Sequence, residues 1–417
     1  MENVTDSFAA YLLRKQAGIG EELLYRAMER REDYDAVVRG GAAKNRERWS
    51  ELLRLAPEGK ARVFGYETRT DGKTAALING FNAHSLELDD GHRFAMIHLG
   101  AAIISALSAC RDETEIDENS FLLGIIMGYE AACRMAICVQ PSHKQRGFHA
   151  SGTCGTIGAA VACAAALGMD RRQLKRVISA AAGSAAGMLE LQEQRSELKP
   201  YNLGRAAMDG LAAACMGLAD FDVPDDMLGG ERGFLRTFAD SYDAEKLIEE
   251  TDYYEIERIY VKPYASCRHS HSAVEAALRL HDRVRPEHIA SVLVETYRLG
   301  VKGHDHRSVA GIASAKLSTP YAVAAALLYG RADLTVFEPV DAAAAALAER
   351  VIVTESPELT AECPRKRIAV VRILKTDGSE EHCRVDYAKG EPENPMTAEE
   401  TADKQRLLKQ YSEQRFS

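Results

Sequence analysis

The sequence predicts a mainly α protein with a smaller α+β domain. Three observations predict it. Helical apolar spacing recurs from the N-terminus to near Tyr253, period-two alternation starts only after that point, and a charged amphipathic segment closes the chain.

The elements follow in order. Ser7–Ala17, Gly20–Arg30, Ala42–Ala56, Lys73–Leu86, Leu99–Arg111 and Ser120–Val139 are expected helices, separated by Gly, Pro or polar breaks. Thr153–Leu167 and Arg171–Leu189 continue the series, and Ala207–Leu218 and Asp243–Glu249 end it. The small-residue run Gly155–Ala166 suits a buried helix that approaches its neighbours closely. Trp49 reads as a core residue. Beyond Tyr253, Ile256–Val261 alternates as a strand, Ala273–Val284 is helical, and Ile289–Thr296 is a second strand introduced by Arg285-Pro286. Thr319–Leu328 is a helix with Pro320 in its first turn. Val351–Thr354 and Arg367–Leu374 are strands, and Thr376-Asp377-Gly378-Ser379 turns the latter into a hairpin with His382–Val385. Thr397–Gln414 is the terminal amphipathic helix, expected to return to the first half.

The chain has 417 residues, room for two or three domains at roughly 150 residues each. Its 52 basic against 62 acidic side chains give a net charge of −10, which argues against a nucleic-acid or membrane-surface binder, since those need a cationic field. No apolar run, including Ala101–Ala109 and Ala322–Leu328, reaches the roughly 18 residues of a membrane span. The start has no basic region followed by an apolar stretch, so no signal peptide is expected. The nine cysteines are scattered, several in Ala-rich helices, which fits a reducing, cytoplasmic compartment.

Four clusters carry possible chemistry. Glu87-Leu88-Asp89-Asp90-Gly91-His92 and His98 place carboxylates and imidazoles between two apolar helices, where a carboxylate can orient a histidine and raise its basicity. His149 precedes Ala150-Ser151-Gly152-Thr153 at the head of a buried helix, whose free N–H groups can hold a carboxylate. The Gly152, Gly155, Gly158 spacing is not a phosphate loop, since no Gly-Lys-Ser/Thr follows and no strand precedes it. Lys199 stands before Pro200, in an extended segment where it can hold a substrate carboxylate. Lys262-Pro263-Tyr264-Ala265-Ser266-Cys267-Arg268-His269-Ser270-His271 joins cations, a thiol and imidazoles between a strand and a helix. Cys267, His269 and His271 invite a metal reading, but no CxxC pair or HExxH motif accompanies them, and no metal or iron–sulfur centre is expected. A Cys267 thiolate nucleophile favoured by Arg268 ranks below binding or acid–base roles. Lys302–Arg307 reads first as a solvated polar loop and second as a loop edge of the site, and Tyr321 as a helix-start tyrosine that either packs in the core or turns its hydroxyl to a pocket.

Asn82-Ala83-His84-Ser85-Leu86-Glu87-Leu88-Asp89-Asp90, His98, Gly147-Phe148-His149, Lys199-Pro200, Lys262–Arg268, Pro320–Ala324 and Lys389–Thr397 together resemble the MmgE/PrpD family, in the family's order and over nearly the whole chain. That family includes 2-methylcitrate dehydratase, cis-aconitate decarboxylase and iminodisuccinate epimerase. The resemblance implies a helical domain built from both chain ends, residues 1–253 and 392–417, with an α+β lid at 254–391. It implies an active site between them, a homodimer, and no metal or organic cofactor. His98 and His149 match active-site histidines, Lys199 and Lys262 match lysines, and Tyr321 matches a pocket tyrosine. Glu87 stands where a decarboxylase-like sequence has Asp, and Asp89 and Asp90 match the carboxylates that follow. Gly91 replaces a frequent Thr, Cys267 stands where the decarboxylase has a catalytic His, and Leu99 interrupts a frequent His-Pro pair. The segment from Asp90 to His98 is one residue longer than in the decarboxylase.

The resulting expectation is a cofactor-independent hydro-lyase of 2-methylcitrate dehydratase type, acting on a small polycarboxylate. His98 and His149 are the acid–base pair, with Lys199, Glu87, Asp89 and Asp90 completing the catalytic set. Lys262, Cys267, Arg268 and Tyr321 are the substrate-binding set. The alternatives are an epimerase of an imino- or amino-dicarboxylate, a decarboxylase of cis-aconitate type, and a non-catalytic metabolite-binding protein.

Overall fold

The computed structural model describes residues 3–193 and 196–416. The chain forms two compact units: Met1–Gln192, Leu198–Ile259 and Asp403–Ser417 make the first, Glu193–Glu197 and Tyr260–Ala402 the second.

The first unit is helical. Its core is the Ala150–Ala166 helix, every residue of which is buried. This helix packs on Glu118–Val139 and on Tyr201–Cys215, and Gly72–His84 packs on Tyr201–Cys215 and Gly100–Glu113. Glycine makes these approaches possible. A Cβ on Gly158 would lie 2.6 Å from Ala132 Cβ and 2.7 Å from Gly128 O, and one on Gly204 would lie 2.4 Å from Leu77 O. Backbones that close exclude any larger residue, because packed interiors have no slack to accept it.

Some helices depart from the sequence expectation. Glu21–Lys44 runs unbroken through Arg30-Arg31-Glu32-Asp33, a charged stretch that conceals it. Asp33 is buried there, and Lys404 of the terminal helix reaches it at 2.6 Å and Leu88 O at 2.8 Å. The expected helix over Ala42–Ala56 is broken: Ala42–Lys44 end the preceding helix, and a single turn at Glu47–Trp49 leads into a short helix Ser50–Leu55. Arg171–Ser184 stops short of Leu189, because Ala185 turns extended and Gly187 follows at φ 142°. Tyr201–Cys215 begins a turn and a half before the expected Ala207, and Asp243–Glu249 holds only a 3-10 turn at Ala244–Leu247. The expected strand at Ile256–Val261 shrinks to Ile259–Tyr260, preceded by a 3-10 turn Glu255–Arg258. That turn aims the Glu255 backbone N–H at Glu130 Oε2, 2.8 Å away.

Glu118–Val139 corrects the expectation that no helix is long and apolar enough to span a membrane. It passes by length and composition, at a mean hydropathy of 1.6, but 89% of that stretch is buried inside the protein, as a core helix is. Its charges are internally matched: Glu130 accepts from Tyr11 Oη at 2.7 Å and from Arg134 Nε at 3.0 Å. Burial and the neighbouring Glu130 push the Tyr11 hydroxyl well above its ordinary value.

The second unit carries a four-stranded sheet in the order Val351–Glu355, Ile289–Thr296, Ala369–Lys375, Glu380–Val385, with the first pair parallel and the rest antiparallel. The Lys375–Ser379 hairpin places Gly378 at φ 84°, as a tight turn requires. The His271–His281 helix packs on the hairpin strands and on the Thr319–Tyr329 helix.

Candidate active site

The first unit gathers the expected catalytic residues. Asp71 caps the Gly72–His84 helix through Lys73 N and Thr74 N. His84 lies in its last turn with a fully buried side chain. Three residues on, Glu87 adopts φ 55°, one of the two non-glycine left-handed residues among those described. Such a conformation costs of order 1–3 kcal/mol and persists where the surroundings enforce it. Here the Glu87 carboxylate forms an ion pair with Lys199.

Asp89 joins two imidazoles. Its Oδ2 lies 2.7 Å from His84 Nδ1 and 3.3 Å from His98 Nδ1, and the two rings sit 4.8 Å apart. His98 Nδ1 is also 2.8 Å from the Asp90 carbonyl oxygen. A carbonyl oxygen only accepts, so Nδ1 carries the proton and Nε2 is left as an acceptor. The side chains of His84, Asp89 and His98 have metal-ligand chemistry, with ligand atoms all within 4.8 Å of one another. The Asp90 carbonyl at His98 Nδ1 calls for an N–H there, and Asp89 links the two imidazoles into a group that can share a proton.

His149 has the opposite arrangement. Its Nδ1 lies 3.1 Å from Asn202 Nδ2, which also donates to Met188 O at 3.1 Å. That carbonyl fixes the amide orientation, so Nδ1 of His149 accepts and Nε2 carries the proton. Burial, reinforced by the Lys199 cation and by His84 and His98, holds the His149 imidazole well below its ordinary basicity. The His98 backbone N–H donates to Ser151 Oγ at 3.0 Å, which ties the two histidine segments together.

Asp90 faces inward. Its Oδ1 accepts from Gly100 N at 2.9 Å and its Oδ2 from Tyr129 Oη at 2.5 Å. Leu99 cannot cap the Gly100–Glu113 helix, so Asp90 supplies the acceptor. Burial pushes its carboxyl up to about 6, against the pull of those two bonds. His92 is also occupied: Ala95 N donates to its Nδ1 at 3.0 Å, and Glu255 Oε2 lies 3.0 Å from its Nε2.

The expected substrate-binding residues lie in the second unit. Lys262 is fully buried. Arg268 is engaged by Glu391 at 2.8 Å, His271 at 2.9 Å and Lys389 O at 3.0 Å, and it stacks on Tyr260 at 4.6 Å. Tyr321 Oη donates to Val336 O at 2.6 Å and accepts from Asp341 N at 2.8 Å, which employs the hydroxyl in both directions. Cys267 Sγ faces His304 Nε2 at 3.8 Å.

Three residues escaped the sequence reading of the site. His84 had a visible signal, a histidine five residues before Asp89 across a helix end. Asn202 had a weaker one, its place one turn after Lys199. His304 looked like part of a solvated loop.

Over 325 residues, 70% of this chain and 67% of the relative, the chain is 26% identical to the cis-aconitate decarboxylase-like protein oryM of Aspergillus oryzae. It is 25% identical to human cis-aconitate decarboxylase over 170 residues, and 26% identical to the mouse protein over 178. Those mammalian matches cover 40% and 42% of this chain but only 35% and 36% of the relatives' own lengths. The MmgE/PrpD N-terminal domain matches residues 29–247 and the MmgE/PrpD C-terminal domain matches 264–415. With both halves matched over most of its length, the chain belongs to the MmgE/PrpD family.

Proposed function

We propose that this protein is a lyase that removes a proton next to a carboxylate of a small polycarboxylate and expels a hydroxyl group, a hydro-lyase of 2-methylcitrate dehydratase type. The observation that carries the reading is the state of His98. With Nδ1–H bound by Asp90 O and facing Asp89 Oδ2, its Nε2 is a base, and Asp89 stabilises the imidazolium that forms. Asp90 and His84 position that pair. His149 stays neutral and offers its Nε2–H to the enediolate or to the departing hydroxyl, as a neutral imidazole can. Lys199, steered by Glu87, supplies positive charge for a substrate carboxylate, and Lys262 and Cys267 are the further binding residues. The His98 imidazolium then returns its proton to the leaving oxygen. The cycle draws on side chains of this chain alone and is proposed to need no metal or organic cofactor; the resemblance supports a homodimer, and the scattered cysteines support a cytoplasmic setting.

The names of the relatives favour a second reading, decarboxylation. That reaction begins with loss of CO₂ and needs His98 as the imidazolium, to protonate the carbanion. The two readings predict opposite pH limbs. Dehydration fails as pH falls through the His98 pKa, and decarboxylation fails as pH rises through it. Proton NMR in D₂O of chelator-treated enzyme with 2-methylcitrate, citrate, cis-aconitate and iminodisuccinate tests the class. A new vinylic signal from a hydroxy acid supports dehydration. Loss of a carboxylate supports decarboxylation, and deuterium incorporation without a new alkene supports epimerisation. No reaction with any of the four would overturn the proposed substrate class.

A further inference from the structure

The second unit holds a separate group whose chemistry differs from the carboxylate–imidazole cluster. Cys267 Sγ lies 3.8 Å from His304 Nε2, within reach of a sulfur hydrogen bond. His304 Nδ1 lies 2.9 Å from Leu317 O. That carbonyl only accepts, so Nδ1 carries a proton and the nitrogen aimed at the sulfur is the basic one. The ring is held on both sides of its own residue, with His304 N bonded to Val301 O at 2.9 Å and Thr319 N bonded to His304 O at 2.8 Å. His269 lies 5.3 Å away ring to ring, with its Nδ1 2.7 Å from Tyr297 Oη. Cys267 and His304 are both half-buried, in contrast to the five buried cysteines of the first unit.

A nucleophile, a base within hydrogen-bond reach, and a third group that orients the base are the parts of an activated thiol. We infer that Cys267 and His304 form a thiolate–imidazolium pair, a site of covalent modification by soft carbon electrophiles. The alkylation chemistry does not require the lyase reading, which also places Cys267 among the binding residues. In the step, the thiol proton passes to His304 Nε2. With an alkyl halide such as iodoacetamide, the sulfur lone pair forms the C–S bond as the C–I bond breaks, and iodide leaves with the bonding pair.

Other cysteines of the same chain serve as internal standards. Cys110, Cys133, Cys138, Cys154 and Cys163 are buried, whereas Cys215 is exposed and Cys383 half-buried. An ordinary thiol is only a few per cent thiolate at pH 7, so full ionisation raises the reactive fraction by roughly thirtyfold, and the weaker nucleophilicity of a low-pKa thiolate takes back part of that. The purified full-length protein is treated with limiting iodoacetamide at pH 7, and alkylation is timed at each cysteine by peptide mass spectrometry. The expected result is that Cys267 reacts about tenfold faster than Cys215 and Cys383. In His304→Gln the Cys267 rate should fall to theirs while their own rates stay put, which shows that the variant is folded. In Cys267→Ser the fast phase should vanish. Equal rates at Cys267 and the standards in the wild-type protein would overturn the inference, as would an unchanged Cys267 rate in His304→Gln.

Discussion

The Asp89–His98 cluster and the Cys267–His304 pair lie in different units and use the same device. In each, a backbone carbonyl takes the Nδ1–H of a histidine, Asp90 O in one and Leu317 O in the other, and thereby presents a basic Nε2. What differs is the company. His98 has a carboxylate on its Nδ1 side, 3.3 Å away, which stabilises a proton once taken and suits repeated transfer to and from carbon. His304 has a thiol in front of it, which suits holding a sulfur anion. The tautomer is therefore set by a main-chain oxygen, and the chemistry by the side chain next to it.

The strongest way to break this comparison is to remove the first base. His98→Ala should lower kcat by about a thousandfold, the middle of the range for a positioned general base. Comparable turnover in the variant would leave His98 as a structural residue and the resemblance between the two clusters without meaning. Asp89→Asn comes next, with an expected loss of about a hundredfold. It also carries a sign: without the carboxylate the His98 imidazolium is less stable, so the acid limb of the rate profile should move to lower pH. A limb that stays in place would show that Asp89 does not act through His98.

His84 should matter less, since it reaches His98 only through Asp89. His84→Phe is expected to lower kcat about tenfold with little change in KM. His84→Asn, which keeps an N–H where Nδ1 stood, should recover most of that loss. Failure of the asparagine to rescue would mean that the ring fills space and does not orient the carboxylate.

These residues also show what a sequence exposes and what it hides. The Ile289–Thr296 strand has the span expected from its alternation, because one face is buried and the pattern is local. The buried helix over Ala150–Ala166 was visible for the same reason, its small residues being a property of the segment itself. Glu21–Lys44 was cut short in the reading because Asp33 breaks the apolar pattern, and its partner Lys404 lies at the far end of the chain. At the site, His98, His149, Lys199 and Glu87 were legible as residue types in a family's order. Their protonation was not, because it depends on the oxygen of Asp90 and the amide of Asn202, and a main-chain oxygen has no letter of its own. His304 was illegible on the same ground, its lock being the carbonyl of Leu317.

A further expected effect concerns the response of the first unit to acid. Three buried histidines of the first unit, His92, His143 and His149, are held below their ordinary basicity, chiefly by burial. His143, lowered to about 4, bonds Phe238 O through Nδ1 at 3.1 Å and takes the Thr153 hydroxyl on Nε2 at 2.8 Å. A histidine depressed in the fold binds its proton more readily when unfolded, so stability falls as pH drops from about 6.5 toward the folded value. For His143 that window is worth about 3 kcal/mol at its acid end. Asp90 works in the opposite sense: raised to about 6, it is protonated in the fold before it would be when unfolded, and it adds stability as pH falls from there toward its ordinary value. Asp35 and Asp209, also raised by burial, act in the same sense as Asp90, while Glu255, held down beside His92, acts with the histidines; with His143 alone worth about 3 kcal/mol, the first unit is expected to weaken between pH 6.5 and 4. Amide exchange in peptides of the Ala150–Ala166 helix should quicken over that range after correction for intrinsic rates. His143→Gln, which keeps a polar group near Thr153 but cannot titrate, should flatten the dependence. A wild-type profile that is flat from pH 6.5 to 4, or one that His143→Gln leaves just as steep, would mean that the imidazoles of this core do not govern its response to acid.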